Sequence, residues 1–286
     1  MKKAIVFFLF FFISVSLSAQ ISSRIFDKVT NQPVSYANIW CNTGKCGTTA
    51  DEKGNFKIIV YDDSKELTIT AVGYKKKTIE TQKILDSIFL EQEVIKLAEV
   101  LINSKEKETL KLGKIKNSSV ELCVANDYSL RTIGKYFPNN LTNNQEMYVK
   151  KVKVKTYALL KNTILNIQFF AVNDNGKPEE LLYDKNIICE VKDGTNTTEL
   201  DLSNLYIEFP KKGIFVAFEN LLVEQNKLEL KYQLSDVSEL KSVYIYEPRI
   251  KVIDDNGFSD TWSFNGDEWI KNDKGHTISM ELILTN

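Results

Sequence analysis

A chain of 286 residues, 43% hydrophobic and 26% charged, is long enough for two ordinary domains, and its composition excludes wholesale disorder. Its formal charge of −1 gives no electrostatic basis for nucleic acid as a partner. A single histidine, His276, removes most histidine-based metal and triad chemistry at the outset.

Lys2 and Lys3 precede a Phe-rich apolar run over residues 4–15, and Ser16-Leu17-Ser18-Ala19 supplies small residues where a signal peptidase needs them. Residues 1–19 therefore read as a secretory signal peptide cut between Ala19 and Gln20. Extended to Leu17, the run also approaches the length of an uncleaved membrane anchor. No cysteine stands at the cut to take a lipid, and no later stretch is long and apolar enough for a bilayer-crossing helix. No transmembrane span is expected in the mature chain, and export to the periplasm, outer membrane or cell surface is the expected localisation.

An exported chain meets an oxidising compartment. Cys41 and Cys46 bracket Asn42-Thr43-Gly44-Lys45, a natural hairpin loop, so they are expected opposite each other and within disulfide reach. Two free thiols are the alternative, because closing so small a loop stabilises little. Cys123 and Cys189 lie far apart, and Cys189, within Ile187-Ile188-Cys189, reads as buried packing.

Strand signals dominate residues 47–79. Phe56, Ile58 and Val60 alternate with Lys57, Ile59 and Tyr61, and Leu67, Ile69 and Ala71 repeat the pattern after an Asp62-Asp63-Ser64 turn. Gly54 follows a charged turn where positive φ is expected. Pro33 sits ahead of a strand, and Gly73 breaks one so that Tyr74 packs at a corner. Lys75-Lys76-Lys77 keeps the next edge solvated. Residues 88–90 and 94–95 follow, with 100–102 as a last strand.

Asp27, Pro33, Ala37-Asn38-Ile39, Thr49, Asp51, Gly54, Phe56 and Val72-Gly73-Tyr74 lie at the spacing of a known pattern along about 80 residues. Residues 20–102 thereby resemble the carboxypeptidase regulatory-like domain of Bacteroidetes-type exported proteins. The resemblance implies a transthyretin-like β-sandwich. Leu97-Ala98-Glu99-Val100-Leu101 is similar to the segment that, in some relatives, leads into an outer-membrane barrel, although too few residues follow here to build one. It does not imply peptidase activity, because only the accessory module is represented.

Residues 103–119 are polar and lysine-rich and read as a linker holding at most a helical turn. Residues 127–136 suit one short helix capped by Asp127 and ended by Pro138. From 147 onward strand signals recur: 151–158, 165–171, 187–191, 199–202, 206–209, 214–218, 228–234, 243–246, 250–253, 261–264, 269–270 and 278–284. Residues 120–286 are thus expected to form a second, jelly-roll-like β-sandwich, giving an all-β chain. The segments around 175–178, 201–202 and 213–219 look like the C-terminal half of the same exported proteins, a likeness that carries no known site.

Catalytic chemistry finds no frame. There is no HExxH or HxxE, no Gly-x-Ser-x-Gly elbow and no glycine-rich phosphate loop. His276 sits in an apparent turn. Asp254, Asp255, Asp260, Asp267 and Glu268 offer carboxylates for glycoside hydrolysis, but they stand in turns whose geometry acids serve anyway. Asp174-Asn175, Asp254-Asp255-Asn256 and Asp267 resemble calcium-type loops without their spacing. Trp40, Trp262 and Trp269, with Tyr244 and Tyr246, are candidates for a sugar-stacking platform, against a packing role in the sandwich core. No cofactor and no metal are expected. The expected function is that of a non-catalytic envelope binding or scaffold protein contacting a protein or polysaccharide. The alternatives are a carboxylate-dependent hydrolase in the second domain and an accessory subunit of an outer-membrane transporter.

Overall fold

Alternating inward and outward side chains build the first seven strands: β1 (Ala19–Asp27), β2 (Asn38–Cys41), β3 (Gly47–Thr49), β4 (Asn55–Val60), β5 (Glu66–Thr70), β6 (Lys77–Glu80) and β7 (Ser87–Leu90). They are seen in a computed structural model that describes residues 19–60, 64–93, 108–117, 121–122, 132–141, 145–233, 240–255, 260–264, 268–272 and 275–286. Residues 1–18 of the expected signal peptide (1–19), the strands at 94–95 and 100–102, Cys123, Asn256 and Asp267 lie outside those residues.

One sheet runs β4-β1-β7 and the other β3-β2-β5-β6, with β1 antiparallel to β4 and parallel to β7. Phe56, Ile58 and Val60 enter the core while Asn55, Lys57 and Ile59 face out, as period two requires. Ile25, Ile39, Leu67, Ile69 and Leu90 meet them, all fully buried, each worth about 2 kcal/mol of apolar transfer.

The motif residues cohere. Buried Asp27 accepts the Val29 and Thr30 N–H groups through Oδ1, and Gln92 Nε2 and the Tyr74 hydroxyl (3.0 Å) through Oδ2. The bond from the Thr30 N–H, with those from Gln92, Val29 and Tyr74, holds its carboxyl well below the usual range despite burial. Burial and the neighbouring Asp27 push Tyr74 up to about 12. Pro33 bridges Phe26. Asp51 Oδ1 accepts the Lys53 and Asn55 N–H groups, both at 2.8 Å, and closes the turn before β4. Gly54 there has φ +77°, and a Cβ would lie 2.6 Å from the Ile25 carbonyl oxygen. Cys41 and Cys46 are both buried, with Cα atoms 5.3 Å apart and their sulfurs in contact.

The second domain begins earlier than its sequence suggested. Within the expected linker, β8 (Thr109–Lys114) pairs along its length with the distant strand Met280–Thr285. Leu110 and Leu112 pack on the core from this strand, an alternation masked by its lysines. After β9 (Glu121–Leu122) comes β10 (Thr132–Phe137), which replaces the C-terminal part of the expected helix. Thr132, Ile133, Tyr136 and Phe137 are strand formers, and pairing on both sides overrides the local helix signals, while Asp127 lies outside the described residues.

Next follow β11 (Tyr148–Ala158), β12 (Thr163–Val172), β13 (Pro178–Leu181), β14 (Ile187–Val191), β15 (Gly194–Asp201) and β16 (Ile214–Asn220). Where a strand was expected at 206–209, Ser203–Leu205 forms a 3₁₀ turn and only Glu208 bridges, to Tyr148. β17 (Lys227–Gln233) and β18 (Leu240–Tyr246) leave the sandwich and pair with each other as a two-stranded ribbon. The chain continues through β19 (Arg249–Asp254), β20 (Thr261–Phe264), β21 (Trp269–Lys271), β22 (His276–Ile278) and β23 (Met280–Thr285). The expected strand at 278–284 is thus split at Ser279.

One sheet runs β13-β12-β16-β10-β20-β21, with β14 also on β12. The other runs β22-β19-β11-β23-β8, with β15 on β11 and β9 on β19. Phe169, Phe218, Val152, Val154 and Leu282 fill the space between them. The described residues contain no α-helix, and the architecture is all-β and sandwich-like.

Two expectations follow. Asp27→Asn should cost about 2 kcal/mol at pH 7 by weakening charge-assisted hydrogen bonds. Because folding lowers the Asp27 pKa, its contribution is complete above the ordinary value of 3.8 and lost as pH falls below it. Urea unfolding across pH should therefore show the gap to wild type closing in acid. Mass spectrometry of the protein produced in an oxidising compartment, with and without reductant, should find Cys41 and Cys46 joined.

Candidate functional site

The outer face of the sheet holding β12, β16 and β10 is where the two domains meet. In β16, Ile214, Val216 and Phe218 enter the core and Phe215, Ala217 and Glu219 point the other way, yet all seven residues are buried. A strand covered on both faces explains the run IFVAF. The acid that follows is the exception.

Glu219 is 8% exposed. Its Oε1 accepts Asn38 Nδ2 at 2.6 Å, and its Oε2 accepts Asn166 Nδ2 at 2.9 Å and Gln168 Nε2 at 3.1 Å. Two of those amides are fixed in orientation by their other bonds. Asn38 Oδ1 accepts the Thr49 hydroxyl at 3.0 Å, while Thr49 itself accepts the Leu222 N–H at 2.9 Å. Asn166 Oδ1 accepts the Ile187 N–H at 2.9 Å. Both must therefore turn their NH₂ groups to the carboxyl. Burial pushes the Glu219 carboxyl up, and the bonds from Asn166, Asn38 and Gln168 offset part of that rise.

Asn38 and Thr49 come from the first domain and the remaining partners from the second. Asn186 adds a further tie, donating to the Ser35 carbonyl at 3.0 Å and accepting from Asn166 at 2.9 Å. Tyr36 packs against Ile164, Leu221 and Val223. Gly73 has φ +80°, and a Cβ there would sit 2.5 Å from the Asp184 carbonyl oxygen of the second domain. Close approach at this point needs glycine.

Beside Glu219 the junction leaves a cavity of about 190 Å³. Asn38, Thr132, Gln168 and Glu219 line it with polar groups, and Phe170, Phe264 and Trp269 give it an aromatic wall. The Trp269 ring stands edge-on to Phe170 at 5.5 Å and lies 5.4 Å from Phe264. A wider, more open cleft of about 950 Å³ also spans the junction, between Arg24, Asp51 and Lys53 on one side and Leu222, Glu224 and Gln225 on the other. Tyr36 borders both spaces.

The candidate platform is not assembled as a flat face. Trp262 is buried edge-on to Phe215, and Trp269 reaches the same Phe215 ring at 5.7 Å. Trp40 stays on β2, opposite Gly47 and Thr68. Tyr244 and Tyr246 belong to the ribbon, where Lys227 Nζ lies 4.3 Å from the Tyr244 ring centre. Of the rim acids, Asp255 pairs with Lys114 at 2.6 Å and Asp260 with buried Lys135 at 3.3 Å, while Asp174 pairs with Lys212. His276 opens β22 opposite Asp254 instead of sitting in a turn. Among the described residues no three metal-ligating side chains gather. Cys189 is buried, its thiol pushed up to about 11 by desolvation and by Glu190.

Sequence reasoning missed Glu219 although the run containing it stood out. The available signal was a carboxylate in register with the outward face of an otherwise apolar strand. Asn38 was read only as part of the strand motif.

The motif residues that knit the first domain all fall within one family match. Residues 21–102 match the model of the CarboxypepD_reg-like domain. That family is a regulatory, non-catalytic domain of carboxypeptidases. A search of curated proteins finds no match to the chain. Among solved structures, the chain is similar to the cysteine protease and lectin-like domains of Cwp84, a surface layer associated protein of Clostridium difficile. Identity there is 10%, covering 94% of this chain and 58% of that one, at a TM-score of 0.38. A structure of infectious bursal disease virus Gx strain follows at 6% identity, 93% and 59% coverage, and a TM-score of 0.27. The chain spans less than two thirds of either, and likenesses this distant carry no weight here. No described helix is long and apolar enough to cross a membrane, which says nothing of a β-barrel.

Gly73→Ala should loosen the junction through both backbone strain and the Asp184 contact, at a cost of about 1–3 kcal/mol. Asn38→Ala should cost a similar amount by removing a donor from buried Glu219, about 1–3 kcal/mol. Both should appear as lower denaturant midpoints together with faster proteolysis between the domains. Unchanged midpoints and cleavage would remove the junction from the stability of the fold.

Proposed function

We propose that the protein is an exported, non-catalytic envelope protein that binds a protein or polysaccharide partner at the junction of its two sandwiches. The observation that carries this reading is the cavity there, built by both domains, with aromatic rings beside the buried acid Glu219. Among the described residues Glu219 is the only carboxylate that lines it, whereas glycoside hydrolysis uses a pair flanking the scissile bond. Aromatic faces beside a few placed polar groups are what a binding pocket needs. The leader at residues 1–19 and the Cys41/Cys46 pair support export, and the family match supports an accessory role for the first domain.

The hydrolase alternative draws less support, since Asp255 and Asp260 are each occupied by a lysine. An accessory role beside an outer-membrane transporter is the other reading. Immobilised mature protein should retain an envelope protein or glycan saturably, with no product released, and Trp269→Ala should weaken retention roughly tenfold. Product release abolished by changing a rim acid to its amide favours the hydrolase. Capture of a barrel protein alone favours the transporter role.

A further inference from the structure

Buried carboxylates are ordinarily paired with a cation, a metal or a full set of donors. Glu219 has three amide donors, yet among the described residues no lysine or arginine pairs with it. The groups that face it from β2, β10 and β12 are all uncharged: Asn38, Thr132, Asn166 and Gln168. Along the same sheet, Phe264 follows Thr132 and Trp269 follows Phe264, and with Phe170 these rings line the cavity with the aromatic side chains that hold organic cations. An acid with no counter-ion among the described residues and aromatic rings lining the same small space make up the two halves of an ammonium site.

We propose that the junction cavity binds an alkylammonium headgroup, with Glu219 as its counter-ion and Trp269 and Phe264 as its aromatic wall. The inference rests on reading the junction as a binding site and names the chemistry that site selects. At about 190 Å³ the space falls below the ~300 Å³ where drug-sized pockets begin, so it takes a headgroup and not a whole oligosaccharide. Asn38 belongs to the first domain, so the donor to Glu219 Oε1 is supplied only when the two domains are docked, while Asn166 and Gln168 hold Oε2 from within the second. Bound cation would favour the ionised carboxylate that burial disfavours, so binding should strengthen as pH rises and release a proton where Glu219 starts protonated.

The test uses the full mature chain, titrated with tetramethylammonium and methylammonium chloride against sodium chloride at equal ionic strength. Tryptophan fluorescence and calorimetry read the binding. A neutral isostere, tert-butanol, serves as the shape control. Saturable ammonium binding at least about tenfold tighter than the isostere is expected. Glu219→Gln should abolish that preference. Because Glu219→Gln sets an amide against amide donors and risks misfolding, Trp269→Leu is the second variant. It should weaken ammonium binding about tenfold in protein that a cooperative unfolding transition shows to be folded under the assay conditions, and unchanged binding by that folded variant counts against the aromatic wall. Equal affinity for ammonium and isostere, or no ammonium binding by wild type, overturns the inference. If envelope retention persists while ammonium binding is absent, the binding reading stands and only the ligand chemistry falls. Loss of both sinks the two together.

Discussion

Everything at the centre of this molecule answers to one constraint, a carboxyl group placed where water is nearly excluded. An unpartnered acid there would cost several kcal/mol, and the structure meets it with amide donors drawn from both domains. That requirement fixes the docking of the first sandwich on the second, since Asn38 reaches Glu219 only in this arrangement. The small residue at position 73 and the tie between Ser35 and Asn186 then become parts of one geometry. Polar networks of this kind rigidify when complete and fail together when a member is lost.

The periphery follows a different rule. Carboxylates at the rims are matched with lysines: Asp255 with Lys114, Asp174 with Lys212, and Glu199 with Lys151 and Lys153. Exposed pairs of this sort add little stability. Their effect is to settle loop conformations and neutralise charge. Inside, Asp27 and Glu219 are instead held by uncharged donors, Asp27 within the first domain and Glu219 across the junction.

Local pattern made the first domain legible, because its strands alternate cleanly and its turn residues stand where the turns are. Gly54, Phe56 and Asp51 take the positions their chemistry demands. The junction was not legible for a physical reason. Asn38 and Glu219 are 181 residues apart, and no local periodicity reports which outward faces will be covered by another domain. β8 was read as linker because lysines alternate with its leucines, and β10 as helix because capping residues are local signals whereas sheet pairing is not. Aromatic residues announced themselves by type, but which way each ring faces depends on neighbours such as Phe215.

The pairing of residues 109–114 with 280–285 has a kinetic corollary. β8 is an edge strand paired with β23, so this edge of the second sheet stays incomplete until segments separated by almost the whole domain have met. Contacts of such long range close slowly, because the entropy of the intervening loop is lost before any contact compensates it. Until then, unpaired edges and apolar faces are exposed to other chains. A polypeptide wired in this way passes through aggregation-prone states that its final architecture does not reveal.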